Sequence, residues 1–369
     1  DWLKGYFETG LDLLTGAVSA GLEAAGTSPM LNSLLVDGII SGVGGILTFL
    51  PNIFILFLAL AFLEDSGYMS RVAFVMDDIM SHLGLSGRAF LPMLLGFGCT
   101  VPAVMASRAL EHKKDRFKTI LVTPFMSCSA RLTIYVLFSS MFFGKYAMIA
   151  CYSIYLIGIV IAILTAYILS RIDGSKAEHA LLIELPEYKS PNARTIALYV
   201  WEKVKDYLTK AGTVIFLASV IMWVLLNFGP TGYVTNIGES FGSIVGKAIV
   251  PLFKPIGLGY WQIVVALIAG IAQKEVVVSS CSVLFGIQNI TTAHGMNSFV
   301  SLLGGMGFGA ANAYALMIFC LLYVPCTATI ATIRREVGST KLTAGIVLFQ
   351  LAVAWVASFI AFHIAGLIL

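Results

Sequence analysis

Thiols and carboxylates set in apolar sequence are the groups of this chain best suited to hold a metal ion. Cys99 and Cys326 each lie near a proline, in an apolar segment that leads into a basic loop. Glu64 and Asp65 stand at the end of the first long apolar stretch. Thiolates and carboxylates are ligands for divalent transition metals, and charges beside bilayer-length segments usually serve function. These positions therefore indicate a polar, metal-capable path.

The composition is that of a polytopic helical membrane protein. Of the 369 residues, 58% are hydrophobic and 12% are charged, whereas soluble chains carry roughly 25% charged residues. Several apolar runs exceed the ~20 residues that span the hydrocarbon core. The net charge of +3 gives no reason to expect nucleic acid as a partner. The six cysteines include no Cys-x-x-Cys pair, which argues against a disulfide framework and a zinc finger.

About eight apolar segments divide the chain into four parts. Residues 1–32 are predicted to form an amphipathic helix at the membrane interface. A first membrane half covers 33–170 and a second covers 211–369. A polar insert at 171–210, predicted to be cytoplasmic, separates the halves.

Within the halves, some segments are predicted to be regular spans and others to be irregular. The regular spans are 119–143 and 146–170, and the stretch at 36–63 is either a kinked span or a re-entrant piece followed by a helix. Residues 90–105 cannot form one regular helix. Four helix-breaking residues fall inside that segment: Pro92, Gly96, Gly98 and Pro102.

A weak internal repeat relates the halves. Cys99-Thr100 stands nine residues before Arg108, as Cys326-Thr327 stands nine residues before Arg335. Paired broken segments in corresponding halves are typical of a transporter site near the bilayer midplane.

Lysine and arginine clusters orient the segments by the positive-inside rule. The basic loops at 108–118, 171–210 and 334–341 are predicted to be cytoplasmic, whereas the loop at 229–260 and the hairpin at Lys145 are external. Residue 260 is then external and residue 334 is cytoplasmic, yet two apolar segments lie between them, and two crossings would return the chain to the external side. One of them must be re-entrant, or the glycine-rich stretch 298–310 must enter the membrane. Either arrangement places irregular backbone at membrane depth, where it is tolerated only if it lines a cavity or is buried in protein.

Six motifs spread over about residues 60–330 carry a resemblance to one family. They are LEDSGYMSRVAFVMD (63–77), GLSGRAFLP (84–92), GFGCTVPA (96–103), PFMSCSARL (124–132), QKEVVV (273–278) and PCTAT (325–329). In order and length they resemble the ferrous iron transport protein B family. Threonine at position 133, where that family's pattern has proline, is a departure from it.

The resemblance concerns the membrane permease part of the family. Members usually carry an N-terminal cytoplasmic GTP-binding domain, but the 369 residues contain no Gly-x4-Gly-Lys-Ser/Thr loop. GTP and Mg²⁺ therefore belong to a domain that is not in this chain. The implied fold is all-α, with two related halves, discontinuous helices and the inverted repeats of gate-type, nucleoside-transporter-like proteins.

The resemblance also implies function, location and partners. The expected function is Fe²⁺ uptake across the bacterial cytoplasmic (inner) membrane by a transporter rather than an enzyme. Fe²⁺ is the substrate, and no bound cofactor is expected in this chain. The expected partners are the lipid bilayer, the GTP-binding domain of the same parent protein, a small cytoplasmic accessory protein, and further copies in a homo-oligomer.

The predicted site residues fall into two groups. Proposed ligands along the Fe²⁺ path are Cys99, Cys326, Cys128, Glu64, Asp65 and Glu275, with freed backbone carbonyls near Gly96, Gly98 and Val324 as further oxygen ligands. Structural or gating roles are expected for Tyr68, Arg71, Gly96, Gly98, Pro102, Arg131, Lys274 and Pro325. The structural alternative for Glu64 and Asp65 is a solvated helix end or an ion pair with Arg71. For the embedded charges of the second half it is an ion pair, of Lys274 with a carboxylate or of Glu275 with Arg131. Cys151, Cys281 and Cys320 are interpreted as small buried hydrophobic residues.

Two other functions stay open. A gate-type transporter of a nucleoside or other small solute would need amide and carboxylate groups around a base and a ribose. An intramembrane thiol enzyme would need a base beside its cysteine, and no histidine is near Cys99, Cys128 or Cys326 in the sequence. The histidine spacing of a metalloprotease is also missing from the sequence.

Overall fold

The computed structural model describes residues 2–24, 29–173, 188–230, 232–234, 237–287 and 293–368. In chain order its α-helices are α1 (Trp2–Ala24), α2 (Pro29–Ser33), α3 (Ser41–Asp65), α4 (Tyr68–His82), α5 (Phe90–Gly96), α6 (Thr100–Ala106), α7 (Lys113–Val122), α8 (Ser129–Phe143), α9 (Ala147–Asp173), α10 (Ala193–Asp206), α11 (Gly212–Asn227), α12 (Phe241–Phe253), α13 (Trp261–Ala272), α14 (Val276–Leu284), α15 (Ala293–Gly305), α16 (Ala310–Leu322), α17 (Thr327–Val337) and α18 (Thr340–Ile368). A short antiparallel hairpin pairs β1 (Phe228–Gly229) with β2 (Gly232–Tyr233). The predicted all-α class is confirmed. Parts of two sequence predictions, residues 25–28 and 174–187, lie outside the described residues.

Helix length and composition agree with a multi-pass membrane protein. Among the described residues, three largely helical stretches are long and apolar enough to cross a bilayer. They are Lys113–Ile172, which runs through α7, α8 and α9 with their turns, Ala310–Val337, which includes the break between α16 and α17, and Thr340–Leu367. Two bent helix pairs raise the number to five if each pair is counted as one crossing. The predicted number of about eight segments is not tested by these lengths.

The chain forms two compact units, of which the first combines Asp1–Ser70 with Leu185–Ile244. In this unit α1, α10 and α11 all pack against α3. Helix α3 runs for 25 residues with Pro51 inside it. In the first apolar stretch a π-helical segment at Leu34–Ile40 precedes this long helix. The choice between a kinked span and a re-entrant piece followed by a helix stays open.

The second unit, Arg71–Glu184 with Val245–Leu369, is built around α16. Residues 315–322 of α16 are all buried, and this helix packs against α8, α9 and α18. A helix that is apolar on every side must be enclosed by others, and Phe319 of α16 meets Phe253 edge-to-face at 5.2 Å between ring centroids. The division into membrane halves that the sequence suggests stays a prediction.

The break predicted inside 90–105 is present. Helix α5 ends at Gly96 and α6 begins at Thr100. Pro92 and Pro102 each occupy the first turn of their helix, where a missing N–H costs no helical hydrogen bond. The glycine-containing segment between the helices is thus the true point of interruption.

Two predicted segments are wrong. The regular span at 119–143 is interrupted, because α7 ends at Val122 and α8 begins at Ser129. Pro124, in the 3₁₀ turn between them, has no N–H to continue a helix. The predicted loop at 229–260 contains most of the hairpin and the whole of α12, whose apolar residues form a 13-residue helix.

The second half of the chain contains a similar interruption. Helices α13 and α14 have 12 and 9 residues, and at 1.5 Å per residue they reach about 18 and about 14 Å. Neither is long enough for a hydrocarbon core of ~30 Å. They pack against each other on either side of Gln273–Glu275. The apolar stretch predicted at 261–286 is therefore interrupted, whereas the identity of the re-entrant segment stays a prediction.

Candidate metal path at the helix breaks

Three cysteines occupy the positions where extended backbone becomes helix. Cys99 precedes α6 with φ −150° and ψ 129°. Cys128 precedes α8 with φ −75° and ψ 160°, and Cys326 precedes α17 with φ −61° and ψ 155°. All three thiols are free and partly exposed within the second unit. The predicted cysteines therefore share one structural setting, although they are distant in sequence.

Hydroxyl groups tie these breaks together in pairs. Ser129, directly after Cys128, donates its hydroxyl to the carbonyl oxygen of Gly98 at 3.0 Å. Thr327, directly after Cys326, donates its hydroxyl to the carbonyl oxygen of Ala272 at 3.3 Å. Each Cys–hydroxyl pair is thus attached to the end of a short broken helix.

This arrangement changes the internal repeat inferred from sequence. Cys326-Thr327 corresponds in its contacts to Cys128-Ser129 rather than to Cys99-Thr100. The sequence contains a weak signal for this match, since a cysteine, a hydroxyl residue and an alanine follow one another in both places, at 128–130 and at 326–328. On this match, Gln273 is the counterpart of Cys99.

Two buried cations stabilise the same breaks. The guanidinium of Arg131 donates from Nη1 to the carbonyl oxygens of Pro124 at 2.9 Å and Met126 at 3.1 Å. The ammonium of Lys274 donates to the carbonyl oxygen of Val324. Buried backbone carbonyls that leave a helix need partners, and these two side chains supply them.

The carbonyls expected as free metal ligands are therefore partly engaged. The Gly98 oxygen accepts hydrogen bonds from Ser129, and the Val324 oxygen accepts one from Lys274. Both carbonyls have a donor, because a carbonyl released from a helix in a packed interior is costly to leave without one. Their role as metal ligands stays a prediction. The described partners of Lys274 are this carbonyl and the ring of Tyr323, rather than the carboxylate expected from sequence.

The thiols share an electrostatic neighbourhood. Cys326 and Cys128 both lie within electrostatic range of Cys99, and Lys274 lies within range of both of them. Among the described residues, however, three or more histidine, cysteine or carboxylate side chains do not converge in a geometry that could hold a metal ion. The three thiols are neighbours without forming a closed metal cage.

Glu275 lies at the second interruption. It is the residue before α14, partly buried and next to Lys274. Its predicted role as a ligand on the ion path stays a prediction.

Glu64 and Asp65 belong to the first unit and have partners there. Asp65 accepts a hydrogen bond from the backbone N–H of Asn192 at 2.7 Å. Glu64 interacts with Tyr199 of α10, and burial, with this carboxylate as the next contributor, raises the pKa of Tyr199 to about 12. Both carboxylates attach the end of α3 to the segment that begins α10. Their predicted role on the ion path stays a prediction.

The remaining predicted structural residues lie at turns and breaks. Gly67, in the turn before Tyr68, has a positive φ of 78°. Tyr68 is exposed and Arg71 is partly buried. Pro325 is buried, directly before Cys326. At Gly96 a Cβ atom would lie 2.9 Å from the Cβ of Met126, so close packing of two breaks requires glycine there.

A buried ion cluster that the sequence analysis missed lies at the far end of α17. The carboxylate of Glu336 is 1% exposed and contacts Arg108 at 2.5 Å. It also contacts Arg116, at the start of α7. The only sequence signal is one acidic residue beside basic residues of a loop, which does not identify its partners. The cluster joins the segment after α6 to the end of α17.

Of the other three cysteines, two are buried as the sequence analysis predicts and Cys151 is not. Cys281 and Cys320 are buried in the apolar core. Cys151 is partly exposed and its Sγ lies 3.3 Å from the hydroxyl of Ser139. These contacts give them no visible role at the breaks.

Comparison with protein families agrees with this architecture. The model of the Gate family, described as "Nucleoside recognition", matches residues 46–142 and 208–340. The model described as "Ferrous iron transport protein B C terminus" matches residues 151–203. No solved structure matches the chain.

Curated relatives match nearly the whole chain. A protein named Fe(2+) transporter FeoB from Staphylococcus aureus (strain MSSA476) is 42% identical over 96% of this chain and 52% of its own length. A relative of the same name from Methanocaldococcus jannaschii is 39% identical over 98% of the chain and 54% of its own length. A Porphyromonas gingivalis relative, named Fe(2+) transport protein A/Fe(2+) transporter FeoB fusion protein, is 35% identical over 90% of the chain and 44% of its own length. The chain spans about half the length of these relatives. With the Gate model matched over more than half of its residues, the chain belongs to the ferrous iron transport protein B family and corresponds to its membrane part.

Proposed function

We propose that this chain carries Fe²⁺ across the bacterial cytoplasmic membrane, with Cys99, Cys128 and Cys326 along the ion path. The observation that supports this most is the common neighbourhood of the three thiols, each at the start of a helix. The choice of Fe²⁺ as the ion rests on the relatives, which are named Fe(2+) transporters. Fe²⁺ accepts thiolate as well as oxygen ligands.

The loose arrangement of the thiols suits transport. A conducting site must bind an ion well enough to remove water and weakly enough to release it. Thiols on separate helices can each contribute one bond, and a small shift of α6, α8 or α17 then changes the number of ligands. Glu275, and the carboxylates Glu64 and Asp65, are further candidate ligands.

The parent protein and its partners belong to the same proposal. Since the chain spans about half of its relatives, we infer a cytoplasmic GTP-binding domain in the remainder, which would bind GTP and Mg²⁺. The fusion named in the P. gingivalis relative supports a small accessory protein of the iron system as a partner. Assembly into a homo-oligomer is a further part of the proposal.

A second candidate follows from the description of the Gate model, which names nucleoside recognition. A nucleoside carrier would bind its substrate with amide and carboxylate groups. Fe²⁺ transport is favoured because thiols precede α6, α8 and α17, whereas an amide and a carboxylate, those of Gln273 and Glu275, occur together only at the break before α14 among these helix starts. The relatives are also named for Fe²⁺.

The test is anaerobic Fe²⁺ uptake into proteoliposomes that contain the full-length parent protein. Cys99→Ser and Cys326→Ser should each lower uptake at least tenfold, while GTP hydrolysis and thermal unfolding stay as in wild type. Cys151→Ser is the matched control, since serine keeps its contact with Ser139. Normal Fe²⁺ uptake by both variants would exclude the thiols of Cys99 and Cys326 from the ion path. Saturable nucleoside uptake without Fe²⁺ uptake would favour the second candidate.

A further inference from the structure

The ammonium group of Lys274 occupies a position built for a cation. Lys274 is 4% exposed, and its Nζ lies 3.2 Å from the ring centroid of Tyr323. The same Nζ donates to the carbonyl oxygen of Val324. A ring face and a backbone carbonyl are neutral groups that attract cations. The protein therefore provides a cation site and fills it with its own side chain.

The hydroxyl of Tyr323 points to a further ligand in this place. Tyr323 is 2% exposed, and among the described residues its hydroxyl has no hydrogen-bond partner. A buried hydroxyl without a partner costs free energy. Space beside it is limited by Gly270, where a Cβ atom would collide with this hydroxyl. A water molecule, or the hydration shell of an ion, would satisfy the group.

The first half of the chain holds its broken backbone differently. Arg131 binds two carbonyl oxygens there, those of Pro124 and Met126. A planar guanidinium with two carbonyl partners is a fixed clamp, whereas an ammonium on a flexible stem with one carbonyl partner can move away. The exchangeable cation is therefore in the second half, beside Cys326.

We propose that the Val324 carbonyl and the Tyr323 hydroxyl form an oxygen-lined subsite for the transported divalent cation, and that Lys274 is the resident cation which this ion displaces. The inference rests on the proposed function and adds a subsite and a competitor to it. When Fe²⁺ arrives, the ammonium leaves the carbonyl, and its return helps to expel the ion toward the next position. The guanidinium of Arg131 and the thiols of Cys326 and Cys128 all lie within electrostatic range of Lys274. The ion would therefore pass from thiol to oxygen ligands within one neighbourhood, where Arg131 supplies a fixed charge that favours its release.

The experiment compares KM and maximal rate for Fe²⁺ uptake by the full-length parent in proteoliposomes. Lys274→Gln removes the charge but keeps a donor for the carbonyl, and Lys274→Arg keeps the charge. If the Val324 carbonyl of the wild type is free of the ammonium about a tenth of the time, removal of the ammonium should lower KM about tenfold, because the carbonyl is then always available. The maximal rate should fall too, since the ion is no longer displaced. Lys274→Arg should not lower KM.

A merely structural lysine predicts a different result. In that case Lys274→Gln would unfold at a lower temperature with KM unchanged or raised, and this result in folded protein overturns the proposal. Tyr323→Phe decides the matter if Lys274→Gln does not fold. It removes only a hydroxyl that lacks a partner, so KM should rise severalfold while the unfolding temperature stays the same or rises. An unchanged KM overturns the subsite.

Failure of the proposed function has a separate signature. If the wild type takes up no Fe²⁺, the transport proposal fails. Equilibrium binding of Fe²⁺ to the same purified proteins then still tests the competition, because Lys274→Gln must bind more tightly than wild type. Equal binding by both overturns the inference.

Discussion

Ser129 donates two hydrogen bonds to the carbonyl oxygen of Gly98, one from its hydroxyl at 3.0 Å and one from its backbone N–H at 3.2 Å. This oxygen is therefore saturated by a single residue of another helix. The contact fixes the residue before Cys99 to the residue after Cys128. Two of the three candidate thiols are thus held in register by one carbonyl. In the second half, Thr327 performs a similar role for Ala272 through its hydroxyl alone.

Ser129→Ala tests this register. The variant keeps the backbone hydrogen bond and loses the hydroxyl, so we expect a loss of about 1 kcal/mol in the free energy of unfolding. Fe²⁺ uptake should fall by more than this stability loss explains, because the thiols lose their alignment. Unfolding temperature in detergent and uptake in proteoliposomes measure the two effects.

Ser140→Ala is the control for this change. The hydroxyl of Ser140 donates to Leu137 of its own helix, α8, at 2.8 Å. Uptake should therefore stay as in wild type. Equal uptake by both serine variants would show that the Gly98 contact does not position the path.

Gly96→Ala tests how closely the two breaks of the first half must approach. The added Cβ would lie 2.9 Å from the Cβ of Met126 and 3.3 Å from the carbonyl oxygen of Thr123. Overpacking of this kind costs about 1–3 kcal/mol, and the shift would move Cys99 away from Cys128. We expect a lower unfolding temperature together with lost uptake.

Gly304→Ala is the matched glycine control. A Cβ at Gly304 has no atom within 4 Å, and alanine favours a helix over glycine by about 1 kcal/mol. The variant should be at least as stable as wild type. If Gly96→Ala behaves in the same way, the close approach at Gly96 is not required.

Glu336→Gln tests the buried ion cluster. The carboxylate faces Arg108 and Arg116 and is 1% exposed. Removing one partner of a buried cluster leaves uncompensated charge and costs about 3 kcal/mol. The Arg108 side chain is exposed and that of Arg116 is partly exposed, so water will reduce this cost. Thermal unfolding at low and high salt measures it.

Glu111→Gln serves as the comparison for Glu336. Glu111 is 73% exposed and pairs with Arg88 at 2.6 Å. Exposed pairs contribute about 0–1 kcal/mol, so its loss should change the unfolding temperature little. Equal effects of the two substitutions would contradict a structural role for the buried cluster.

Sequence analysis located the broken segments because their causes are local. Proline and glycine between residues 90 and 105 forbid one regular helix, whatever the surroundings. The resemblance to known motifs supplied the family, which neither composition nor spacing could give. The break at Val122–Ser129 was missed, although Pro124 stands inside it, because the run is apolar and long enough to resemble a span.

The hydrogen-bond partners of the buried polar groups could not be predicted from the sequence. Gly98 and Ser129 are 31 positions apart, and Lys274 and Val324 are 50 apart. Nothing local to Lys274 indicates that it takes a backbone carbonyl rather than a carboxylate. Such pairings depend on how the broken helices pack, and so does the match between Cys128-Ser129 and Cys326-Thr327.

Arg131→Lys tests whether the first half needs a guanidinium. Arg131 is 1% exposed and holds the carbonyls of Pro124 and Met126. Lysine keeps the charge but has a shorter reach and no planar fork, so one carbonyl should lose its donor. Since hydrogen bonds to charged groups contribute about 1.5–3 kcal/mol, we expect a loss of this size in the free energy of unfolding. Thermal unfolding measures this loss, and Fe²⁺ uptake should keep its KM, because a clamp does not compete with the ion.

Arg171→Lys is the control for that substitution. Arg171 is exposed and contacts the hydroxyl of Tyr167 in its own helix at 2.7 Å. A surface substitution of this kind should change stability by less than about 0.5 kcal/mol. If Arg131→Lys instead lowers KM for Fe²⁺ without loss of stability, then Arg131 is an exchangeable cation as well. The proposed difference between a fixed guanidinium at Arg131 and an exchangeable ammonium at Lys274 would then be wrong.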